Sequence, residues 1–356
     1  MRDEGGVPIL TYHSVSERPD WLPWSRNISV KPVTFQRHLQ ELQRLGCTVI
    51  RTTDLLAARQ RGAQLPPRAV AIHLDDGYLD NWVAALPMLQ KHKMPATIFV
   101  STDFVEPGLM PRLSLRDVWN GTVANEDLIW EGYLNWAEIQ TIDAGGLIDI
   151  QSHGKDHGRV VTGPAVVDRL TEKNWRRYAW IQWSGMQGNM SNWYRSTKPP
   201  VYPVGSAVYE SGGALVAREW IDGKLESESA YETRVRQSLQ QTRAVLSAKL
   251  NRAVTIFCWP ENLATPSSRR LALSAGFSAT TAGKGENRQE ENPTVLSRVH
   301  VADRAIGFRW VWMEGLYLRA VVRLYQGVYY WYLLLFPLYR LRRWILPLTL
   351  WIRGRR

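Results

Sequence analysis

Cysteine is nearly absent: the chain has two in 356 residues, Cys47 and Cys258, far apart and both in apolar sequence surroundings. That excludes a disulfide framework and a thiolate metal site, and it is compatible with a reducing compartment. No secretory leader is expected either, because MRDEGGVPILTYHSV has no charged segment followed by a long apolar one. No stretch supplies the ~20 apolar residues a helix needs to cross a bilayer; GVYYWYLLLFPLY ends after about a dozen, and RLRRW separates it from ILPLTLWI. Acids are scarce in one region in particular. From Arg304 to Arg356 there are ten arginines, no lysine and one acid, Glu314. This tail carries +9 of the formal +11, leaving residues 1–303 near +2, as expected of a segment with a partner of its own.

What is present, at 45% hydrophobic residues, suffices for one catalytic-size domain with an appendage. VPILTYHSV predicts a first strand that ends by delivering Tyr12 and His13. Helix-spaced Phe35, Leu39, Leu42 and Leu45 predict a helix over 34–45, and a strand over 47–50 and a short helix over 53–60 follow. AVAIHLDDGYLDNWVAALPMLQKHKMPATIFV reads as a strand to Leu74, a Gly77 turn, a helix over 79–92 and a strand over 96–100. A helix over 135–144, a strand over 147–150, a helix over 231–250, a strand over 254–259, a helix over 267–275 and a strand over 277–281 continue the alternation, which argues for an α/β barrel or open sheet. The alternation lapses over 160–229, where Trp175, Trp180, Trp183, Trp193 and Trp220 stand among turn-forming residues. That insertion either stacks sugar rings on its indoles or packs them onto the domain.

Asp75 and Asp76 leave the end of a buried strand, where parallel sheets gather functional groups. By itself an Asp-Asp-Gly sequence is as readily a solvated turn. In QSHGKDHGR, however, His153 and His157 are four apart, a spacing that brings two imidazoles to one side. Two histidines and a carboxylate leave open positions for water, as a hydrolytic metal site requires. A free carboxylate beside them could take the proton.

These segments carry a family resemblance. LDDGYLDNW with ALPMLQKHKMPATIFV resembles the first motif of the polysaccharide deacetylases (the NodB-homology domain, carbohydrate esterase family 4), and SHGKDH resembles their second, metal-binding motif. YHSV and FCWPENLATPSSRRLALSAGFSATTAG resemble segments of the group that includes exopolysaccharide N-deacetylases, so the similarity spans residues 7–157 and 232–301. It implies a distorted (β/α)7 TIM-like barrel that removes N-acetyl groups from amino sugars. Carried over, Asp75 is the catalytic base, Asp76, His153 and His157 are the metal ligands, and His300 is the late histidine expected as general acid. Tyr78, Trp259, Pro260 and His13 are expected at the substrate. The metal is divalent, zinc by ligand type, with cobalt, nickel or manganese as alternatives.

Three departures stand out. His73-Leu74 replaces the family's Thr-Phe, and His73 is expected to face away from the site by strand alternation. Trp259-Pro260-Glu261-Asn262 replaces a Pro-Tyr-Gly type of motif, and the 160–229 insertion is long. The expected organisation is a catalytic domain over 1–303 and a basic, aromatic, amphipathic tail over 304–356 that meets an anionic membrane. Nucleic acid is not expected as a partner, since the tail's aromatics accompany Leu/Ile runs rather than polar readers. The expected enzyme works at the cytoplasmic side of the membrane, peripheral or monotopic, on a surface glycan or a lipid-linked sugar. A peptidoglycan or chitin-oligomer deacetylase, or a catalytically weak glycan-binding relative, are the alternatives.

Overall fold

The computed structural model describes residues 5–186 and 188–353. Its centre is a nearly closed barrel of eight parallel strands. In chain order these are β1 (Ile9–Tyr12), β2 (Ala69–Leu74), β3 (Ala96–Val100), β4 (Ile148–Ser152), β5 (Ile256–Phe257), β6 (Ala279–Ala282) and β7, whose halves Val295–Ser297 and Val299–His300 are interrupted at Arg298. The first half of β7 pairs with β6 and the second with β1, so one interrupted stave closes a seven-stave barrel. This is the (β/α)7 architecture that the motifs implied.

Strand alternation sorts the core into two sets. Ile9, Ala71, Phe99, Ile256, Ala279 and Leu296 fill the barrel interior. Leu10, Ile72, Ile98, Ile150 and Phe257 face outward under the helices. Both faces are buried, which is why the strands read as apolar runs. His73 shares the parity of Ala71 and Asp75 and therefore points inward, contrary to the expected outward orientation. It sits 2.9 Å from Thr52 Oγ1 with its ring against Phe99, and burial, then the nearby Arg298 charge, pulls its pKa down to about 3.

Around the barrel lie α1 (Pro32–Arg44), α2 (Leu86–His92), α3 (Trp136–Ala144), α4 (Glu228–Leu250), α5 (Pro266–Ser274), α6 (Val311–Tyr325) and α7 (Tyr332–Arg353). The helix expected over 79–92 is instead a π turn, Asn81–Ala85, running into α2. Pro87 has no N–H to return to Val83, so the helix widens before it. Asn135 caps α3 by accepting from Glu138 N–H, in a reciprocal capping box.

The insertion is a long antiparallel hairpin, Arg159–Arg169 with Ala207–Gly213, whose connection carries the short helix Ala179–Gly185. Trp175, Trp183, Trp193 and Tyr194 build a second core there with Trp21, Tyr78, Phe104 and Tyr133.

The division expected at residue 304 runs through the packed body. Tyr317, Leu318, Val321 and Val322 of α6 lie in the main core, and Arg319 pairs with the buried Glu41 of α1. Sequence patterning grouped α6 with α7 because both are arginine-bearing and acid-poor, but α6 is packed into the core beyond its exposed Trp312, whereas α7 keeps an apolar outer face along its described length. Arg355 and Arg356 lie outside the described residues. No described helix is long and apolar enough to cross a membrane.

Glu314, the tail's one acid, is buried, and both its oxygens accept Ala305 N–H at 3.1 Å. Burial pushes its carboxyl up from 4.5 to about 8 against the Ala305 hydrogen bond. The folded chain thus holds a proton that the unfolded chain releases, so stability falls as pH rises between those values. Glu314→Gln should flatten that slope, leaving urea stability unchanged at pH 4 and raising it at pH 8 by on the order of 2–4 kcal/mol. An unaltered slope in the variant would refute the assignment.

Candidate active site

The site assembles where β2 and β4 end. Asp75 keeps the inward parity of β2, and the chain then turns through two left-handed residues, Asp76 (φ 72°) and Gly77 (φ 66°). A Cβ on Gly77 would come within 2.8 Å of Val100 Cγ1, so the turn accepts no side chain there. At the end of β4, Gly154 (φ 88°) and His157 (φ 53°) bend the following loop back over the barrel. As a result His153 Nε2 lies 2.9 Å and His157 Nε2 3.5 Å from Asp76 Oδ1.

This triad fits a divalent cation. His153 Nδ1 lies 3.0 Å from the Cys258 carbonyl oxygen. A carbonyl can only accept, so Nδ1 carries the hydrogen and the Nε2 lone pair of a neutral ring faces the Asp76 carboxylate. Asp76 Oδ1 is buried and receives no well-directed hydrogen bond. Two acceptors confront each other, a conflict relieved by a proton on His153 or by a cation between them. A carbonyl that fixes the tautomer of a ligating imidazole is the usual support for a metal.

Asp75 is in a different electrostatic state. Both its oxygens accept from Arg298 Nη1, at 2.8 and 2.7 Å, in a pair that is buried on both sides. Burial raises the carboxyl, yet the Arg298 guanidinium, with His13 and His153, holds it below the usual carboxylate range. Cys258 is buried in the apolar barrel interior, as its sequence neighbours suggested, and it also offers a ligand atom close to Asp75 and His153. The Asp76 triad is nonetheless the better cation site, because the Asp75 charge is already neutralised by Arg298. Sequence reading missed Arg298, although SRVHV places it two residues before His300 on one face of a strand.

A pocket of about 430 Å3 opens over these groups. His13 and His300 line it together, their rings stacked with centroids 5.4 Å apart, and His13 Nε2 is 3.8 Å from Asp75. Burial, then His13 and Arg298, lowers the His300 pKa to about 4, so its ring is neutral at pH 7. Trp259 forms part of the wall while almost fully buried. Pro260 is not brought to this pocket; it borders a smaller hollow beside Gly154, and Glu261 and Asn262 reach the main pocket instead. Tyr78 is buried, accepts from Trp24 Nε1 at 3.1 Å and lines a cavity of about 50 Å3 beside Asp76 and His157. Among the insertion's indoles, Trp175, Trp183 and Trp193 are core, as packing of the insertion onto the domain requires, and Trp183 also reaches the pocket wall, where Trp180 and Trp24 join it.

Known proteins resemble the chain in sequence and in fold. The chain is 31% identical over 94 residues to a Bacillus subtilis protein whose name marks it as an inferred polysaccharide deacetylase, covering 26% of this chain and 31% of that one. It is 19% identical over 295 residues to the poly-beta-1,6-N-acetyl-D-glucosamine N-deacetylase of Escherichia coli K12, covering 82% of this chain and 36% of that one. The chain therefore spans about a third of the length of these curated relatives. Among solved structures, a de-N-acetylase from Aggregatibacter actinomycetemcomitans superposes with a TM-score of 0.58 at 19% identity, over 82% of this chain and 94% of that one. A deacetylase domain from Bordetella bronchiseptica gives 0.58 at 18%, over 84% and 97%. These share the fold. The polysaccharide deacetylase family profile matches residues 62–280, more than half of the sequence, and the chain belongs to the polysaccharide deacetylase family.

Proposed function

We propose that this chain is a metal-dependent hydrolase that removes N-acetyl, or a similar acyl, from amino sugars of a surface glycan or a lipid-linked glycan precursor. The observation that carries the reading is the separation of the two aspartates: Asp75 held by Arg298, Asp76 facing two imidazoles. Asp76, His153 and His157 would hold the cation, zinc by ligand type, and a cation held there supplies Lewis-acid polarisation of the amide carbonyl and acidifies water. Asp75 accepts the proton of the attacking water, and Arg298 keeps it ionised and fixed in place. His13, close to the Asp75 carboxylate and stacked on His300, is the imidazole that returns a proton to the departing amine, while the neutral His300 ring supports it. Trp24, Trp180 and Trp183 offer apolar faces to a sugar ring and keep bulk water from the reacting carbonyl. The enzyme works at the cytoplasmic side of a membrane, held by its basic aromatic tail.

The test is acetate release by the full chain from β-1,6- and β-1,4-linked N-acetylglucosamine oligomers and from a lipid-linked acetamido sugar. Release should require zinc, stop on chelation and return when zinc is restored. The substrate with the highest kcat/KM separates exopolysaccharide, peptidoglycan-like and lipid-linked readings. No acetate from any of them would leave the glycan-binding alternative in place of an enzyme.

A further inference from the structure

We infer that the outer face of α7, together with the tryptophans opening α6, is a contact surface for an anionic lipid bilayer that ends at the rim of the catalytic pocket. This deepens, and rests on, the membrane attachment proposed above by assigning its residues and its position relative to the site.

The first observation is that α7 has apolar residues on both sides. Leu335 and Leu338 are buried in the main core. On the opposite side, Leu333, Pro337, Leu341 and Trp344 are exposed at steps of four, four and three along one helical stripe, with exposed Phe336 beside them, Leu333 at 78% and Trp344 at 77%. A helix packed on one side ordinarily turns charged and polar residues to water. Here, among the described residues, the charges interleaved with the stripe are exposed arginines, Arg340 and Arg343. No acid offsets them, because the tail's one carboxylate, Glu314, is buried beneath α6. Tryptophan and leucine with arginine and no acid match the boundary between acyl chains and anionic headgroups. A second copy of the chain is the poorer occupant, since a two-fold contact through this stripe would bring Arg340 and Arg343 towards their own equivalents.

The second observation is where the stripe ends. Beyond β7, Val301 N–H still bonds to Thr11 O, and Asp303 accepts from Lys31 N–H at the start of α1. From there α6 descends beside α1, through the Arg319–Glu41 pair to Gln326 beside Cys47. Returning upward, α7 sets Tyr339 on Tyr317 and Ile345 against Gly307. Trp344 and Arg343 therefore finish beside the 303–310 loop, at the strand ends that carry His13 and His300. Trp310 and Trp312, stacked 5.9 Å apart and both exposed, extend the surface on that loop. Docked along this flank, the barrel opens its pocket at the headgroup level, within reach of sugars held on the bilayer and away from those in bulk water.

Flotation of the full chain with vesicles tests the surface without reference to activity. Binding is expected to phosphatidylcholine vesicles containing 30% phosphatidylglycerol, to be weak with phosphatidylcholine alone, and to fall in 0.5 M salt. Arg340→Gln with Arg343→Gln should weaken it tenfold or more, since each arginine near such a surface contributes about 1 kcal/mol. Trp344→Ser should weaken it even at low salt. Hydrogen exchange with vesicles present should slow in 308–312 and 340–347 and remain unchanged in 62–68, at the opposite end of the barrel. In the activity arm, the wild type should favour a vesicle-anchored acetamido sugar over its soluble counterpart, and the variants should lose that preference with the soluble rate intact. Equal vesicle binding by wild type and variants, protection confined to 62–68, or a dimer dispersed by Trp344→Ser without vesicle binding would each overturn the inference. Absence of any deacetylation would instead count against the proposed function, with flotation still deciding the surface.

Discussion

Asp75→Asn should abolish acetate release while leaving zinc bound, and His153→Ala should lose both. The two variants separate because the structure gives the residues different partners. Asn at 75 keeps the shape of the carboxylate and can still accept from Arg298, but it cannot take a proton from water. Loss of a positioned general base costs roughly 10^2–10^4 in rate, so kcat should drop by about three orders of magnitude. Asp76, His153 and His157 are untouched by that change, so metal content by elemental analysis should match the wild type. His153→Ala removes the imidazole that lies nearest Asp76 Oδ1 and that the Cys258 carbonyl holds in one tautomer. With one histidine and one carboxylate left, metal content after gel filtration should fall to background. Substantial activity in Asp75→Asn, or wild-type zinc in His153→Ala, would sink the assignment of base and ligands.

How much of this was legible follows from what each signal depends on. The barrel was readable because parallel strands buried on both faces leave apolar runs, and loops at their carboxyl ends gather Asp75, Asp76 and His153 without long-range information. Parity within a strand was readable in principle but was misapplied at His73. Two residues apart on one strand means one face, so an inward Asp75 requires an inward His73. The same rule applied to SRVHV would have coupled Arg298 to His300. What sequence could not supply was the break in the closing stave, which exists because β7 must change partners from β6 to β1. The position of Pro260 depended on the turn after Trp259, where Glu261 and Asn262 adopt positive φ and swing into the pocket. The tail was read from composition, which detects the apolar outer stripe of α7 but is blind to α6 covering α1. Deleting 304–356 would therefore strip a core helix, and only changes on the outer face of α7 probe the membrane alone.

Arg298→Met should be nearly as damaging to activity as loss of the base, and by a distinguishable route. Arg298 and Asp75 are both buried, and removal of one partner leaves the other charge uncompensated, typically costing 3–5 kcal/mol of stability. The protein can avoid that cost by protonating Asp75. In the wild type the guanidinium holds this carboxyl below the usual range, so its protonation does not limit the rate at ordinary acidic pH. Without the arginine, burial is left as the largest influence and acts upward. The sign is then fixed: the acid limb of kcat/KM should move to higher pH in Arg298→Met by well over one unit, with activity partly recovered at alkaline pH. Arg298→Lys restores the charge but not the guanidinium geometry, and should return the limb most of the way with incomplete recovery of kcat. A purely structural arginine would lower the amount of folded enzyme without moving the profile. Strand parity is what makes this pairing available: Arg298 follows the inward-facing Leu296 by two residues, and its N–H still bonds to Gly283 O where the stave changes partners, so its side chain stays on the interior face with Asp75.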